Sequence, residues 1–317
     1  MLCLALGLGL FFHEEQSLIP VFIAIPFFKN ASYLKETLQS LINQTDTDWR
    51  AVVLDDSVDE FENKAALQCV TGFQDSRVTF FRNSKNLGLA KNWNQALAMA
   101  TESHETLCLI LHADDRLLPD YIEEMKRLAN RFPEATGYFA KVDIIGPNGK
   151  RVFSLADFYK RILVPKAQEL VIQGIPGMAQ LISGNFIFCP SICYRVQKLK
   201  NESFSEQLKM VLDFEFILRI LKKGGMWVGT YEHSLFEYRR HPESVTNSLT
   251  QNKMRFYEEI WLYRNLGIFL LEQGQPKIAR KALAMRVVKL NLAYQIFRAL
   301  VCFKWRVAFQ FTRVYWK

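Results

Sequence analysis

The stretch LCLILHADDRLLPDY, from Leu107 to Tyr121, organises the chain. Leu107 to Leu111 is a short apolar run, suited to a strand buried on both faces. It stops abruptly at His112-Ala113-Asp114-Asp115. Two adjacent carboxylates at the carboxyl end of a buried strand are costly unless a positive group meets them. Pro119 then opens a polar–apolar pattern that predicts a helix from Asp120 to Arg131. Ligands of open α/β sheets gather at the carboxyl ends of the strands. These residues alone allow two readings. Either the pair holds a divalent cation that bridges to a phosphate-bearing ligand, because hard cations prefer oxygen donors, or one carboxylate caps the helix start by accepting backbone N–H bonds.

Outward from this centre, strand and helix patterns alternate. Leu18–Ile25 predicts a strand ended by Pro26, and Asn30–Ser32 can cap a helix whose apolar positions are Leu34, Leu38, Leu41 and Ile42. Trp49–Leu54 predicts a second buried strand closing on Asp55-Asp56-Ser57; a helix around Glu62–Val70, a strand at Val78–Arg82 and a helix from Lys91 to Ala100 behind Gly88 follow. Such alternation predicts a parallel sheet with right-handed crossovers. Beyond Arg131 the rhythm changes. Tyr138–Ile145 predicts a strand running into a Pro147-Asn148-Gly149 turn and a hairpin. Phe153–Leu163 reads as an amphipathic segment, Gly174–Gly177 as a loop, and Asn185–Arg195 as a strand pair or bend around Pro190. Val211–Lys223 predicts a helix stopped by Gly224-Gly225, with a late strand at Met226–Glu237 ahead of Tyr238-Arg239-Arg240-His241.

With 317 residues, half of them hydrophobic and 23% charged, the chain can bury a large core and is not a disordered polymer. Its net charge of +8 is unevenly spread. Pro276 to Lys317 carries ten Lys or Arg and no Asp or Glu, which leaves about −2 for residues 1–275. This tail is helical by composition and rich in aromatics, among them Tyr294, Phe297, Trp305 and Phe309, although its cations do not fall on one clean stripe. A basic, aromatic helix pair suits an anionic membrane surface; the competing reading is packing onto the α/β body of the chain. Nucleic acid ranks third and is not expected as a partner, since no recognisable binding module accompanies the charge. Six cysteines show no metal-ligand spacing, so reduced thiols in a cytosolic protein are expected. Met1–Phe12 is apolar but short for a membrane span and lacks the flanks of a signal peptide.

The predicted strand ends Pro26–Asn30, Asp55-Asp56 and Asp114-Asp115 would share one edge of a parallel sheet. As a set, IPFFKNASYLKETLQSLINQ, VVLDDS, NLGLAKNWNQALAMA and LHADDRLLPDY resemble, in order and spacing, the motifs of family 2 glycosyltransferases, inverting enzymes with the GT-A fold. DFEFILRILKKGG and YRRHPES resemble that family's later motifs, so that the likeness spans Ile19 to Thr246. It implies a mostly parallel, Rossmann-like α/β sheet flanked by helices, followed by a helical tail. The domains would be an apolar leader (1–17), a catalytic domain (18–250, with a nucleotide-binding half at 18–118 and an acceptor half at 119–250) and the basic tail (251–317).

The resemblance also implies roles. Pro26, Phe27, Phe28 and Asn30 would line the nucleotide pocket, Asp55 would contact base or ribose with Asp56 close by, and Gly88 and Asn94 would shape the turn near the nucleotide and donor sugar. Asp114 and Asp115 would hold ribose and a divalent ion, Mn²⁺ or Mg²⁺. His112 stands where many members carry a first Asp, which leaves open which oxygen touches the metal. Asp213 matches the catalytic base, with Glu215 as its competitor unless Glu215 pairs with Arg219 one turn on. His241 matches a late His near the metal or diphosphate. The expected reaction is inverting transfer from a nucleotide-diphosphate sugar, a UDP-sugar, to a glycan or lipid-linked glycan in bacterial surface polysaccharide synthesis. Its expected place is the cytoplasm or the cytoplasmic face of the inner membrane. The rivals are a nucleotidyltransferase, against which stands the lack of a Gly-rich phosphate loop after the first strand, and a non-catalytic nucleotide-sugar-binding protein.

Overall fold

The computed structural model describes residues 19–153, 162, 164 and 167–315. The apolar leader, and most of the segment read as amphipathic at 153–163, lie outside them. The first half alternates as expected: β1 (Val21–Phe27), α1 (Ala31–Ile42), β2 (Trp49–Asp55), α2 (Glu60–Phe73), β3 (Val78–Arg82), α3 (Leu89–Glu102) and β4 (Leu107–Ile110). Then come a two-residue β5 (Arg116–Leu117), α4 (Tyr121–Arg131), β6 (Gly137–Ile145), β7 (Glu169–Gln173), α5 (Gly174–Ile182), β8 (Ile192–Arg195), α6 (Val196–Leu199), α7 (Leu212–Lys222) and β9 (Met226–Arg239). The chain ends in α8 (Val245–Gln251), α9 (Met254–Glu272), α10 (Pro276–Ala284), α11 (Arg286–Val301) and α12 (Trp305–Tyr315).

One mixed sheet carries the order β3-β2-β1-β4-β8-β6-β9-β5, with β7 on β9. β3, β2, β1 and β4 are mutually parallel, and β8 enters antiparallel between β4 and β6. Side-chain alternation on the central strands splits the core in two. Phe22, Ala24, Val52, Leu54, Cys108 and Ile110 face α3, α5, α7 and α9. Ile23, Ile25, Ala51, Val53, Leu107 and Leu109 face α1, α2 and α4. The change of side between α2 and α3 follows from chain direction. β1 to β3 steps outward and β3 to β4 steps back past β1, so right-handed crossovers place the returning helix on the opposite face. The order reverses between β1 and β4, and ligands of such sheets bind outside the carboxyl ends of the strands at that switch point.

Three local expectations are corrected. Pro26 does not end the first strand: β1 continues to Phe27, with Pro26 opposite Leu54 and Phe27 opposite Asp55 in the parallel register. Gly174–Gly177 is the first turn of α5, not a loop, since Met178, Leu181 and Ile182 gain burial by continuing the turn as a helix. Asn30 stands at the N-cap of α1 but in the left-handed region, φ 74°, and its side-chain oxygen accepts the Ser32 hydroxyl instead of a helix N–H. The division drawn at residue 250 falls just before α9, whose Phe256, Leu266 and Leu270 share the core of the sheet.

β6 and β9 run parallel over nearly their whole length, with Gly229 opposite Phe139. A methyl group on Gly229 would drive into the Phe139 ring, itself fully buried. Gly229→Ala is therefore expected to cost about 1–3 kcal/mol by overpacking, read as a lowered urea midpoint with an unchanged slope.

Candidate active site

Where β4 ends, the chain turns through His112–Asp115 and comes back as β5, which pairs antiparallel with β9 at Arg116–Glu237 and Leu117–Phe236. This return buries Asp115 completely. Its Oδ1 accepts the Arg239 backbone N–H at 2.7 Å, and its carbonyl accepts the Thr37 hydroxyl at 2.7 Å. Its Oδ2 is buried with no protein partner. Burial, with Asp114 adding to it, pushes the Asp115 carboxyl well above the usual carboxylate range despite the Arg239 guanidinium.

Arg239 is the positive group that the double carboxylate required. Its side chain is wholly buried and lies over the Tyr33 ring, 4.5 Å from the centroid. Its Nε donates to the Asp114 carbonyl at 2.7 Å, Nη1 to the Pro147 carbonyl at 3.1 Å, and Nη2 to Glu36 at 2.6 Å. The same Glu36 oxygen takes Arg116 at 3.2 Å, and Arg116 also meets Glu237 at 2.7 Å. One helix, α1, thus braces both the strand that carries Arg239 and the turn that carries the aspartates.

Asp114 takes a different partner. Its Oδ2 lies 2.9 Å from Nε2 of His241, whose ring packs on Tyr33. Burial works to raise this carboxyl, but the His241 bond and the nearby imidazoles outweigh it and hold Asp114 below its ordinary value. His112 stacks on Trp93, with ring centroids 5.3 Å apart, and its Nδ1 lies 3.8 Å from the orphan oxygen of Asp115. Burial holds the His112 imidazole below its ordinary pKa, with Asp114 working against it, and its Nε2 is a second buried atom without a protein partner. Ligand atoms of His112, Asp114 and Asp115 all fall within 4.8 Å of one another. Two carboxylates and an imidazole, two of their atoms buried and unpaired, are a donor set that fits Mn²⁺, and less closely Mg²⁺, which favours oxygens and its own waters. His241 reaches this cluster through Asp114, not through Asp115.

The other sequence-predicted residues divide by what they bind. Asp55 accepts the Ser57 N–H at 2.9 Å and the Asn63 amide, and a carboxylate so engaged keeps acceptor capacity for a further donor. Asp56 is the anchor of the next loop. Leu87 N–H (2.7 Å) and the Asn83 amide (3.0 Å) meet one oxygen, and Gly88 N–H (2.9 Å) and the Asn86 amide (3.1 Å) meet the other. Gly88 turns with φ 78°, a conformation that glycine adopts without strain. Asn94 does not shape that turn directly, because its amide oxygen and nitrogen close a ring with the backbone of Phe204, at 2.7 and 3.0 Å. Pro26 is half-buried in β1 and Phe28 exposed beyond it, while the Asn30 N–H donates to Glu62 at 2.9 Å.

Asp213 lies in the first turn of α7, one residue inside its start, so it is not the N-cap. Glu215 pairs with Arg219 at 2.8 Å, the structural pairing that its spacing allowed. Burial raises the Cys189 thiol well above its ordinary value, and Asp213 and Asp115 add to that rise; both carboxylates are thus within electrostatic reach of one thiol. The loop ahead of α7 is fixed from outside the sheet: the buried Glu258, on α9, accepts the N–H groups of Lys209 (3.0 Å), Met210 (2.7 Å) and Val211 (3.2 Å). Sequence reading missed Glu36, Glu258 and the central place of Arg239. A cue existed only for the last, an Arg beside the expected His241.

Two outcomes follow from this geometry. Arg239→Lys keeps the charge but not the three-way fork, and is expected to cost about 2–3 kcal/mol in urea unfolding, with weakened Mn²⁺ binding in calorimetry. Because the raised carboxyl of Asp115 must lose its proton to become a ligand, Mn²⁺ affinity should fall as pH is lowered through that raised pKa. The released proton is read from calorimetry in buffers of different ionisation enthalpy; binding that releases no proton at any pH would contradict the assignment.

The model of glycosyl transferase family 2 matches residues 22–182. An uncharacterized glycosyltransferase of Methanocaldococcus jannaschii is 25% identical over 209 residues, covering 65% of this chain and 66% of that protein; the chain thus spans just under two thirds of that relative. One from Rickettsia typhi is 22% identical over 242 residues, 76% of this chain and 70% of that protein. Among solved structures, S. aureus TarS in complex with UDP-GlcNAc superposes with a TM-score of 0.62 at 18% identity, covering 84% of this chain and 72% of that one. The mannosyltransferase PcManGT from Pyrobaculum calidifontis, in complex with GDP-Man and Mn²⁺, gives 0.56 at 16% identity, over 93% and 85%. The expected architecture holds: the mixed sheet, its flanking helices and the helical C-terminal region form a GT-A fold. By the family model across half its length, and by the fold that carries it, the chain belongs to glycosyltransferase family 2.

Proposed function

We propose that this protein is an inverting glycosyltransferase that moves a sugar from a nucleotide-diphosphate donor, a UDP-sugar, to a hydroxyl of a glycan or lipid-linked glycan, in the assembly of a bacterial surface polysaccharide. The observation that carries the reading is the unpaired, buried Oδ2 of Asp115 facing His112 at the sheet's switch point. A desolvated carboxylate oxygen left without a partner there is suited to a cation that meets a diphosphate. UDP and GDP-sugar complexes of structural neighbours support a nucleotide-sugar donor.

Asp55 and the β1 end would hold base and ribose, with Asp56 keeping the loop to Gly88 in place. Asp115, with His112 and Asp114, would hold Mn²⁺ or Mg²⁺. That ion supplies neutralisation of the charge growing on the leaving diphosphate. Displacement at the anomeric carbon needs one base, within hydrogen-bond reach of the acceptor hydroxyl. Asp213 takes that role, held by the Glu258-braced loop, and Arg219 keeps Glu215 out of it.

Thermal shift with nucleotide diphosphates and their sugars tests the donor. UDP with Mn²⁺ is expected to raise the melting temperature, as ligands of the native state do, and Asp115→Ala to abolish the rise. Asp213→Asn should keep that shift while nucleotide release in the presence of acceptor falls by about 10²–10⁴-fold. Folded protein that no nucleotide diphosphate stabilises would overturn the proposal.

A further inference from the structure

The last two helices leave an apolar stripe uncovered. On α11, Leu290, Tyr294, Phe297 and Val301 recur at spacings of four, three and four, and are 62, 54, 64 and 60% exposed. With about 3.6 residues per turn they share one face. Val288, Leu292 and Ala299 are buried on the opposite face, so the helix is packed on one side and bare on the other. The stripe continues around the corner into α12 through Phe303, Trp305 and Phe309, each more than 60% exposed. There too the opposite face is packed: Phe311 meets Phe256 of α9 edge-on, with ring centroids 5.7 Å apart.

The cations are arranged around this stripe, not along it. Arg286 and Lys289 border it on one flank and Arg298 on the other, while Lys304 and Arg306 sit beside Trp305 at the corner; all are exposed. Where α10 passes into α11, Lys277, Arg280, Lys281 and Arg286 line an open depression. From residue 276 onward there is no carboxylate side chain to neutralise any of them. An aromatic and aliphatic ridge bordered by cations, on helices lying against the body of the protein, is complementary to a bilayer interface: rings enter the acyl boundary and cations meet phosphates. A second copy of this chain would place the same uncompensated charges against each other. No described helix is long and apolar enough to cross a membrane, so the contact is an interfacial one.

We infer that α11 and α12 form a membrane-docking surface that seats the protein on anionic phospholipid, with the Leu290–Val301 stripe and the Phe303–Phe309 corner as the inserting ridge. This needs neither donor nor metal and stands apart from the proposed transfer reaction. It is tested by flotation of the full chain with vesicles of phosphatidylcholine alone or mixed equally with phosphatidylglycerol. Co-flotation with the mixed vesicles, weakened about tenfold or more by phosphatidylcholine alone or by high salt, is expected. Tyr294→Ser/Phe297→Ser/Trp305→Ser should abolish it, and Arg298→Glu/Lys304→Glu/Arg306→Glu should remove the preference for phosphatidylglycerol. Phe61→Ser, an equally exposed aromatic on α2, should float as the parent does. Circular dichroism and the thermal unfolding transition without ligand verify that every variant is folded. The inference is overturned if the parent chain stays at the bottom of the gradient with both vesicles, if the Phe61 variant is lost alongside the ridge variant, or if the ridge variant instead dissolves a concentration-dependent dimer.

Discussion

A carboxylate group placed where water cannot reach it sets the terms for the rest of this molecule. Asp115 is fully buried between α1 and β9, one of its oxygens held by a backbone N–H and the other left without a partner. Burying such a group costs several kcal/mol unless charge and hydrogen bonds offset it. The surroundings are arranged to do so in part. The Arg239 guanidinium is buried with it, Glu36 and Arg116 complete a chain of alternating charge, and Tyr33 closes the face of the guanidinium. The offset is incomplete, since one oxygen has no partner among the described residues. That is the expected signature of a binding site, where satisfaction is deferred until a ligand arrives.

The placement of this group is a matter of topology. With β1 at the centre of the parallel half and β4 on its other side, successive crossovers diverge above those two strands, and the loops after β1, β2 and β4 converge on one crevice. Acidic residues at those ends therefore differ in how fully the surrounding chain satisfies them. Asp56, met by four donors from a single loop, is a structural anchor. Asp115, next to another carboxylate, has one oxygen held and one left without a partner.

Much of this was legible in the sequence because it is local. Apolar runs gave the strands, the spacing of Leu34, Leu38 and Leu41 gave α1, and a doubled Asp marked the end of β4 as the place to look for a site. What stayed hidden depends on partners far along the chain. Nothing around Glu36 marks it as the brace for two arginines, and nothing around Glu258 marks it as the cap of the loop before Asp213, since each acts through a contact that only folding creates. His112 was visible as a departure from a pattern, but its stacking on Trp93 and its approach to Asp115 were not. Gly174–Gly177 misled for a simpler reason: two glycines and a proline read as a loop, and the tertiary burial of Met178 and Leu181 outweighed that local preference.

The long reach of those contacts bears on how the protein is made. Arg239 bonds to Asp115 across 124 residues and to Glu36 across 203. A ribosome that has released the first parallel strands has released a half-sheet whose innermost carboxylates lack their counter-charge, and they must wait for β9, the last strand of the sheet, to be synthesised. Pairings of such sequence separation form late and slowly. The charge network around Asp115 therefore closes only once β9 is available, and a chain truncated before β9 would expose unpaired acid and an unfinished sheet edge.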